Sequence, residues 1–324
     1  MTRSNNLQLP MATLGILALL AVGSTRADDK RPEDLGVIPT PQEVTWKKAS
    51  TDESLLIDEA TKIVLPGAAT DGAKFAASNL QERLRQQTGL NLQITQDAAA
   101  AKAPKLIVIG NPKTDPRVAA LMKSYGLELT EAMANEGYVL GIGARGIVIG
   151  AESARGLLYG TATLRQMLVY RGKNAALPAV RVRDWPKMAM RGIHDEFSYG
   201  QVSTMENFKD MIRFLSDYKM NTLIFYFEDT FRFKRYPTIG EGRGALTREQ
   251  VDELFVHHPP AVLGAAQGLL AARLREVEAG VLERDERAVA VFLEPVAHAR
   301  VLDGSPRRPG ERELVRRRAL EHLA

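Results

Sequence analysis

No cysteine occurs anywhere among the 324 residues. Disulfides, thiolate metal sites and a lipid-modified cysteine are therefore excluded. Long apolar runs are also lacking. The longest apolar stretch near the start, Met11–Val22, is shorter than the roughly 20 residues a membrane helix needs. Charge of one sign is not in excess either, since the net charge is +4 and is spread along the chain. That balance points to no nucleic-acid partner. Histidine is scarce, and His257-His258 is not followed by a pattern such as H-E-x-x-H, so a bound metal or other cofactor is not expected.

What is present begins with a leader. Arg3, the apolar Met11–Val22 and the small-residue sequence Thr25-Arg26-Ala27 give residues 1–27 the layout of a secretion signal. The expectation is an exported protein, periplasmic or extracellular, without a stable membrane anchor. With 45% hydrophobic and 25% charged residues, the remaining chain is long enough for two globular domains.

Residues 35–183 mix strand and helix signals. Leu35–Trp46 carries two prolines, Pro39 and Pro41, and suits an edge or irregular strand. Short strands are expected at Ser54–Ile57, Lys62–Leu65 and Leu106–Ile109, and helices at Ala73–Gln87, with Gly89 as its stop, and Val118–Tyr125. Gly141-Ile142-Gly143-Ala144-Arg145-Gly146 matches G-x-G-x-x-G in letters. It leads into the β-branched run Ile147-Val148-Ile149 rather than into a helix, so a hairpin turn between strands Gly137–Ile142 and Ile147–Gly150 is the better reading. The next helix starts near Ser153, with Gly156 and Gly160 permitting close packing. The whole stretch reads as an α+β domain, a sheet covered by helices.

From Asp184 the pattern changes to β-α-β. Met188–Ile193 and Thr222–Phe227 are short apolar segments, and between them Phe208, Met211, Ile212 and Leu215 recur at helical spacing. Ser203 and Glu206 have the spacing of a capping box that would start this helix. A crossover of this kind is right-handed, which places the strands side by side and parallel. Charged residues gather just after each strand: His194, Asp195 and Glu196, then Glu228 and Asp229. In a β/α barrel that end of the strands carries the site. A barrel takes roughly 250 residues, more than follow Met188, so the chain is expected to hold an incomplete (β/α)8 TIM-barrel segment over 184–255.

Residues 256–324 differ again. Every lysine, tyrosine and tryptophan precedes them, while four of the five histidines and a dense run of Arg and Ala fall within them. They read as an atypical tail, a frameshifted or fused segment, with a C-terminal helical hairpin as the alternative. Arg316-Arg317-Arg318 reads there as a solvated charge run.

These residues resemble family 20 of the glycoside hydrolases, the β-N-acetylhexosaminidases. Asp184-Trp185-Pro186 followed by Arg191-Gly192 resembles the entry to that family's catalytic barrel, and Lys219–Leu223 its K-x-N-x-L strand. Tyr226–Phe231 is similar to a strand end found in some members. Upstream, Val37–Gln42, Glu136-Gly137-Tyr138 and Gly156–Gly160 resemble motifs of the family's non-catalytic domain. The resemblance implies substrate-assisted hydrolysis of terminal N-acetylhexosamine from glycans, and it implies that Arg191 grips sugar hydroxyls. An aspartate usually follows that arginine five residues later; Glu196 stands there, with Asp195 before it. The family's catalytic Asp-Glu pair lies in an H-x-G-G-D-E motif, and this sequence contains none. Asp195 and Glu196 are the weak substitutes, as an adjacent acidic pair at a strand end whose two carboxyls could titrate apart. Arg191, Glu228 and Asp229 are the substrate-binding candidates, and an internal ion pair from Arg191 to Asp195 or Glu228 is the bland alternative. A non-catalytic carbohydrate-binding module is the second reading of the whole chain.

Overall fold

The computed structural model describes residues 31–46, 55–65, 67, 69–96, 105–144, 146–171, 174–197, 202–226, 229–233, 236–242 and 244–256. The leader, Glu228, His257-His258 and the tail with Arg316-Arg317-Arg318 lie outside these residues.

The first unit is built on a mixed seven-stranded sheet. Its strands are β1 (Glu43–Trp46), β3 (Lys62–Val64), β4 (Gln93–Thr95), β5 (Leu106–Gly110), β6 (Tyr138–Gly143), β7 (Gly146–Gly150) and β10 (Val180–Asp184), and their spatial order is β1-β10-β6-β7-β5-β3-β4. Pairing is antiparallel from β1 to β7 and parallel from β7 to β4. A separate antiparallel sheet joins β2 (Leu55–Ile57), β8 (Val169–Arg171) and β9 (Asn174–Leu177). Helices α1 (Asp71–Thr88) and α3 (Ala154–Gln166) bury Leu80, Leu84, Leu157 and Leu164 on one face of the large sheet, and α2 (Pro116–Tyr125) buries Val118 and Met122 on the other. Sheet residues therefore alternate between two cores: Leu140, Ile147 and Ile149 face α1 and α3, whereas Val139 and Val148 face α2. Strands covered on both faces read as continuous apolar runs, which is why LIVI and GIVIG stood out in the sequence.

Each helix stops where its sequence directs. Thr70 caps α1 through its side chain and Gly89 ends it in the left-handed conformation; Asp115 and Gly126 do the same for α2, and Ser153 caps α3. The G-x-G-x-x-G run is the β6–β7 hairpin, in which Gly143 pairs with Gly146 and the Tyr125 ring packs on Gly141 and Gly143. A Cβ at Gly156 would overlap the Gly137 carbonyl, and one at Gly160 would press on Ile149 and Tyr138, so both glycines admit α3 to the sheet.

The second unit comprises β11 (Gly192–Glu196), α4 (Met205–Asp217), β12 (Thr222–Tyr226) and α5 (Arg248–Val256). β11 and β12 are parallel neighbours, with Gly192 opposite Thr222 and Glu196 opposite Tyr226. Phe208, Ile212 and Leu215 of α4 pack on Leu223 and Phe225, and Phe231, Leu246, Val251 and Leu254 complete that core. The apolar face of α4 is thus covered. Among the described residues only the other face of the strand pair stays open, and Gly192, His194 and Glu196 are exposed on it.

Two local expectations are corrected. The strand expected over Met188–Ile193 begins at Gly192, because the carbonyls of Met188 and Ala189 turn to the side chains of Arg191 and Asn221 instead of forming a ladder. The residue capping α4 is Thr204 rather than Ser203: the Thr204 hydroxyl accepts from Asn207 N, and Glu206 pairs with Arg213. Strands β4, β8, β9 and β10 carried no sequence signal strong enough to single them out. By contrast, Thr247 and Gln250 cap α5 reciprocally, as their spacing predicts.

Candidate functional site

The two ends of the β11–β12 pair have opposite chemistry. At the N-terminal end three carboxylates bind the second unit to the first. Glu136, 5% exposed, accepts from Arg155 Nη1 (2.6 Å) and Asn221 Nδ2 (3.0 Å) through Oε1 and from Arg191 Nη2 (2.7 Å) through Oε2. Asp184 Oδ2 accepts from Lys219 Nζ and from the Tyr138 hydroxyl, both at 2.8 Å, while its Oδ1 takes the Gln42 amide. Asp217, from the C-terminal turn of α4, pairs with Arg83 of α1 and Arg165 of α3. Burial pushes the Tyr138 hydroxyl pKa up, with the Asp184 charge adding to it; the same burial pulls Lys219 down, and Asp184 opposes that.

Arg191 belongs to this end. Its Nε donates to the Lys219 carbonyl (3.0 Å), Nη1 to that of Met188 (2.6 Å) and Nη2 to Glu136. Every one of these partners precedes or lies outside the strands, so the guanidinium is engaged at the strand entries. Its ion pair is with Glu136 rather than Asp195, and the alternative Glu228 lies outside the described residues. The reason is chain geometry: Arg191 sits one residue before β11, beside the first unit, while Asp195 is at the far end of the strand.

At the C-terminal end Asp195 and Glu196 stand together in sequence but on opposite faces. Ile193 and Phe197 pack into the α4 core, so alternation puts Asp195 on that side too, opposite Phe225. Burial there raises the Asp195 pKa, partly offset by nearby His194. Glu196 and His194 lie on the open face, where the His194 ring meets Tyr226 edge-on at 6.2 Å between centroids. The proposed acidic pair is therefore corrected: two carboxyls on opposite faces of one strand do not address one substrate atom from β11. Asp229 follows β12 in a turn and is partly buried, so the structure brings Glu196 and Asp229 to the same end of the strand pair. Among the described residues no cluster of His, Cys, Asp and Glu could hold a metal ion.

The sequence reading missed Glu136, Tyr138, Asp184, Lys219 and Asn221 as a working set. The available signal was the pair of polar residues at 136 and 138 leading into an otherwise apolar strand.

A mixed α/β domain clasping the entry of a parallel β-α-β unit is the class that this arrangement defines. Residues 34–185 match the family model described as glycosyl hydrolase family 20, domain 2. A beta-hexosaminidase of Porphyromonas gingivalis is 25% identical over 265 residues, covering 74% of this chain and 31% of that protein. A beta-N-acetylhexosaminidase of Cellulomonas fimi is 33% identical over 96 residues, covering 29% of this chain and 19% of its own. Among solved structures, a family 20 exo-β-N-acetylglucosaminidase of Vibrio harveyi in complex with N-acetylglucosamine superposes with a TM-score of 0.54 at 20% identity, covering 68% of this chain and 34% of that one. A Streptomyces plicatus beta-hexosaminidase in complex with its product GlcNAc gives 0.54 at 23%, covering 70% and 44%. Over residues 34–185 the chain carries the N-terminal domain of glycoside hydrolase family 20. It spans less than half the length of each of these relatives.

Proposed function

We propose that this chain is the amino-terminal part of an exported β-N-acetylhexosaminidase-type glycosidase that removes terminal N-acetylhexosamine from glycans, with residues 184–255 opening a (β/α)8 barrel. The observation that carries the reading is the polarity of the strand pair. Its N-terminal ends are anchored on the family 20 domain, which leaves the C-terminal ends free for a sugar, the end where barrels build their sites. Glu196 and Asp229, with Glu228, are the residues proposed to meet the sugar; Asp195 faces the helix core. The H-x-G-G-D-E motif is absent from this sequence, so the chain as given is proposed to turn over slowly or not at all.

Release of nitrophenol from a nitrophenyl N-acetylglucosaminide by the purified protein tests the reading directly. Turnover that falls when Glu196 is changed to Gln supports it. Glycan binding without release that Glu196→Gln leaves unchanged favours the carbohydrate-binding module instead. Reading the gene in all three frames downstream of the codons for Thr247–Pro260 tests the frameshift proposal for 256–324: a frame that continues the barrel through an H-x-G-G-D-E motif supports it, and none in any frame removes it.

A further inference from the structure

Among the described residues the strand pair is packed on α4 on one face only and has no further strand beside it, so few contacts of its own hold it in order. What fixes β11 and β12 is the surface of the first unit beneath their N-terminal ends. We propose that this surface, formed by Glu136, Tyr138 and Asp184, is a docking site that recognises the entry of a β-α-β unit through two cations and one amide, and that the strand pair orders only when docked there.

Three observations support the assignment. Glu136 and Asp184 are buried with side-chain exposures of 5% and 9%, and carboxylates so placed demand partners; Arg191, Asn221 and Lys219 of the second unit supply them. The segments entering both strands are shaped by the same contacts. The Arg191 carbonyl accepts from both Asn221 N and Thr222 N, the Asn221 carboxamide oxygen accepts from Arg191 N, and Lys219 adopts φ 58°, left-handed backbone that a non-glycine residue rarely takes without support. Finally, the docked ends are spaced to the sheet, since Asp184 closes β10 and Tyr138 opens β6 beside it. The site therefore reads the separation of two strand entries as well as their charge.

Hydrogen exchange of the full chain, followed by mass spectrometry, tests the proposal. In Glu136→Gln and in Lys219→Met, amides of 193–196 and 223–226 are expected to exchange at least about tenfold faster, while those of β5 and β7 keep their rates. Replacing both partners removes the stranded charge, so the double variant Asp184→Asn with Lys219→Met is expected to recover most of the protection that Lys219→Met loses. If Glu136→Gln does not fold, Asp217→Asn is the substitute: its carboxylate is less buried, and a smaller acceleration confined to α4 and the strand pair is expected. Unchanged exchange in the strand pair overturns the proposal. So does equal acceleration of β5 and β7, because the first unit would then not be a stable platform, and so does failure of the double variant to recover.

Discussion

At the scale of single residues, placement on a strand face decides more than identity. Asp195 and Glu196 are chemically alike, yet one borders Phe225 and the α4 core and the other the open face. A carboxyl whose folded pKa is raised is penalised for ionising in the native state. The penalty is fully present above that folded pKa and vanishes below the ordinary value of 3.8. Asp195→Asn is therefore expected to raise stability at neutral pH, with the gain closing as pH falls through the acid range. Paired urea titrations of the two proteins at neutral and acid pH measure it; a loss at neutral pH would show that the carboxylate has a stabilising partner. The alternation behind this assignment was legible in the sequence. What hid it was a strand end placed at Ile193, which left Asp195 and Glu196 beyond the strand, whereas β11 runs on to Glu196. Gly192 is a second case: any Cβ there overlaps the Thr222 carbonyl, so Gly192→Ala is expected to cost on the order of 1–3 kcal/mol in the same titration.

At the scale of elements, local signals were read well where they are local. The α3 start at Ser153, the Gly89 stop and the β6–β7 hairpin each involve residues within a few positions of one another, and each was visible as a pattern; the Thr70 and Asp115 caps are as local but were not singled out. The β8–β9 hairpin is local yet carried no strong signal, whereas β4 and β10 owe their existence to distant partners: β4 pairs with β3, and β10 with β1 and β6, all far away in sequence. No window of ten or twenty residues contains that information. The start of α4 falls between these cases. Ser203 and Thr204 are both competent caps, and the register of the helix against β12 selects Thr204. Thr204→Ala is expected to lower stability by about 1 kcal/mol, whereas Ser203→Ala leaves it within experimental error. The reverse order in a chemical denaturation series would place the cap one residue earlier.

At the scale of the whole molecule, the junction orients the two units and so bears on what the first unit can do. Sequence distance concealed it: Glu136 meets Arg191 across 55 positions and Tyr138 meets Lys219 across 81. Its consequence is directional. The first unit grips the N-terminal ends of β11 and β12, so a glycan held at the C-terminal ends of those strands is separated from the first unit by the length of the strand pair. At about 3.3 Å per residue, five residues put roughly 16 Å between the two ends. A carbohydrate-binding module would instead hold the glycan on the first unit itself. The two readings therefore predict different labelling by an N-acetylglucosamine bearing a short photoreactive group. The glycosidase reading expects modified peptides from 194–256 and none from 34–185, and competition by free N-acetylglucosamine should remove them. Competable labelling confined to 34–185 would transfer the sugar site to the first unit and leave the junction as an architectural contact alone.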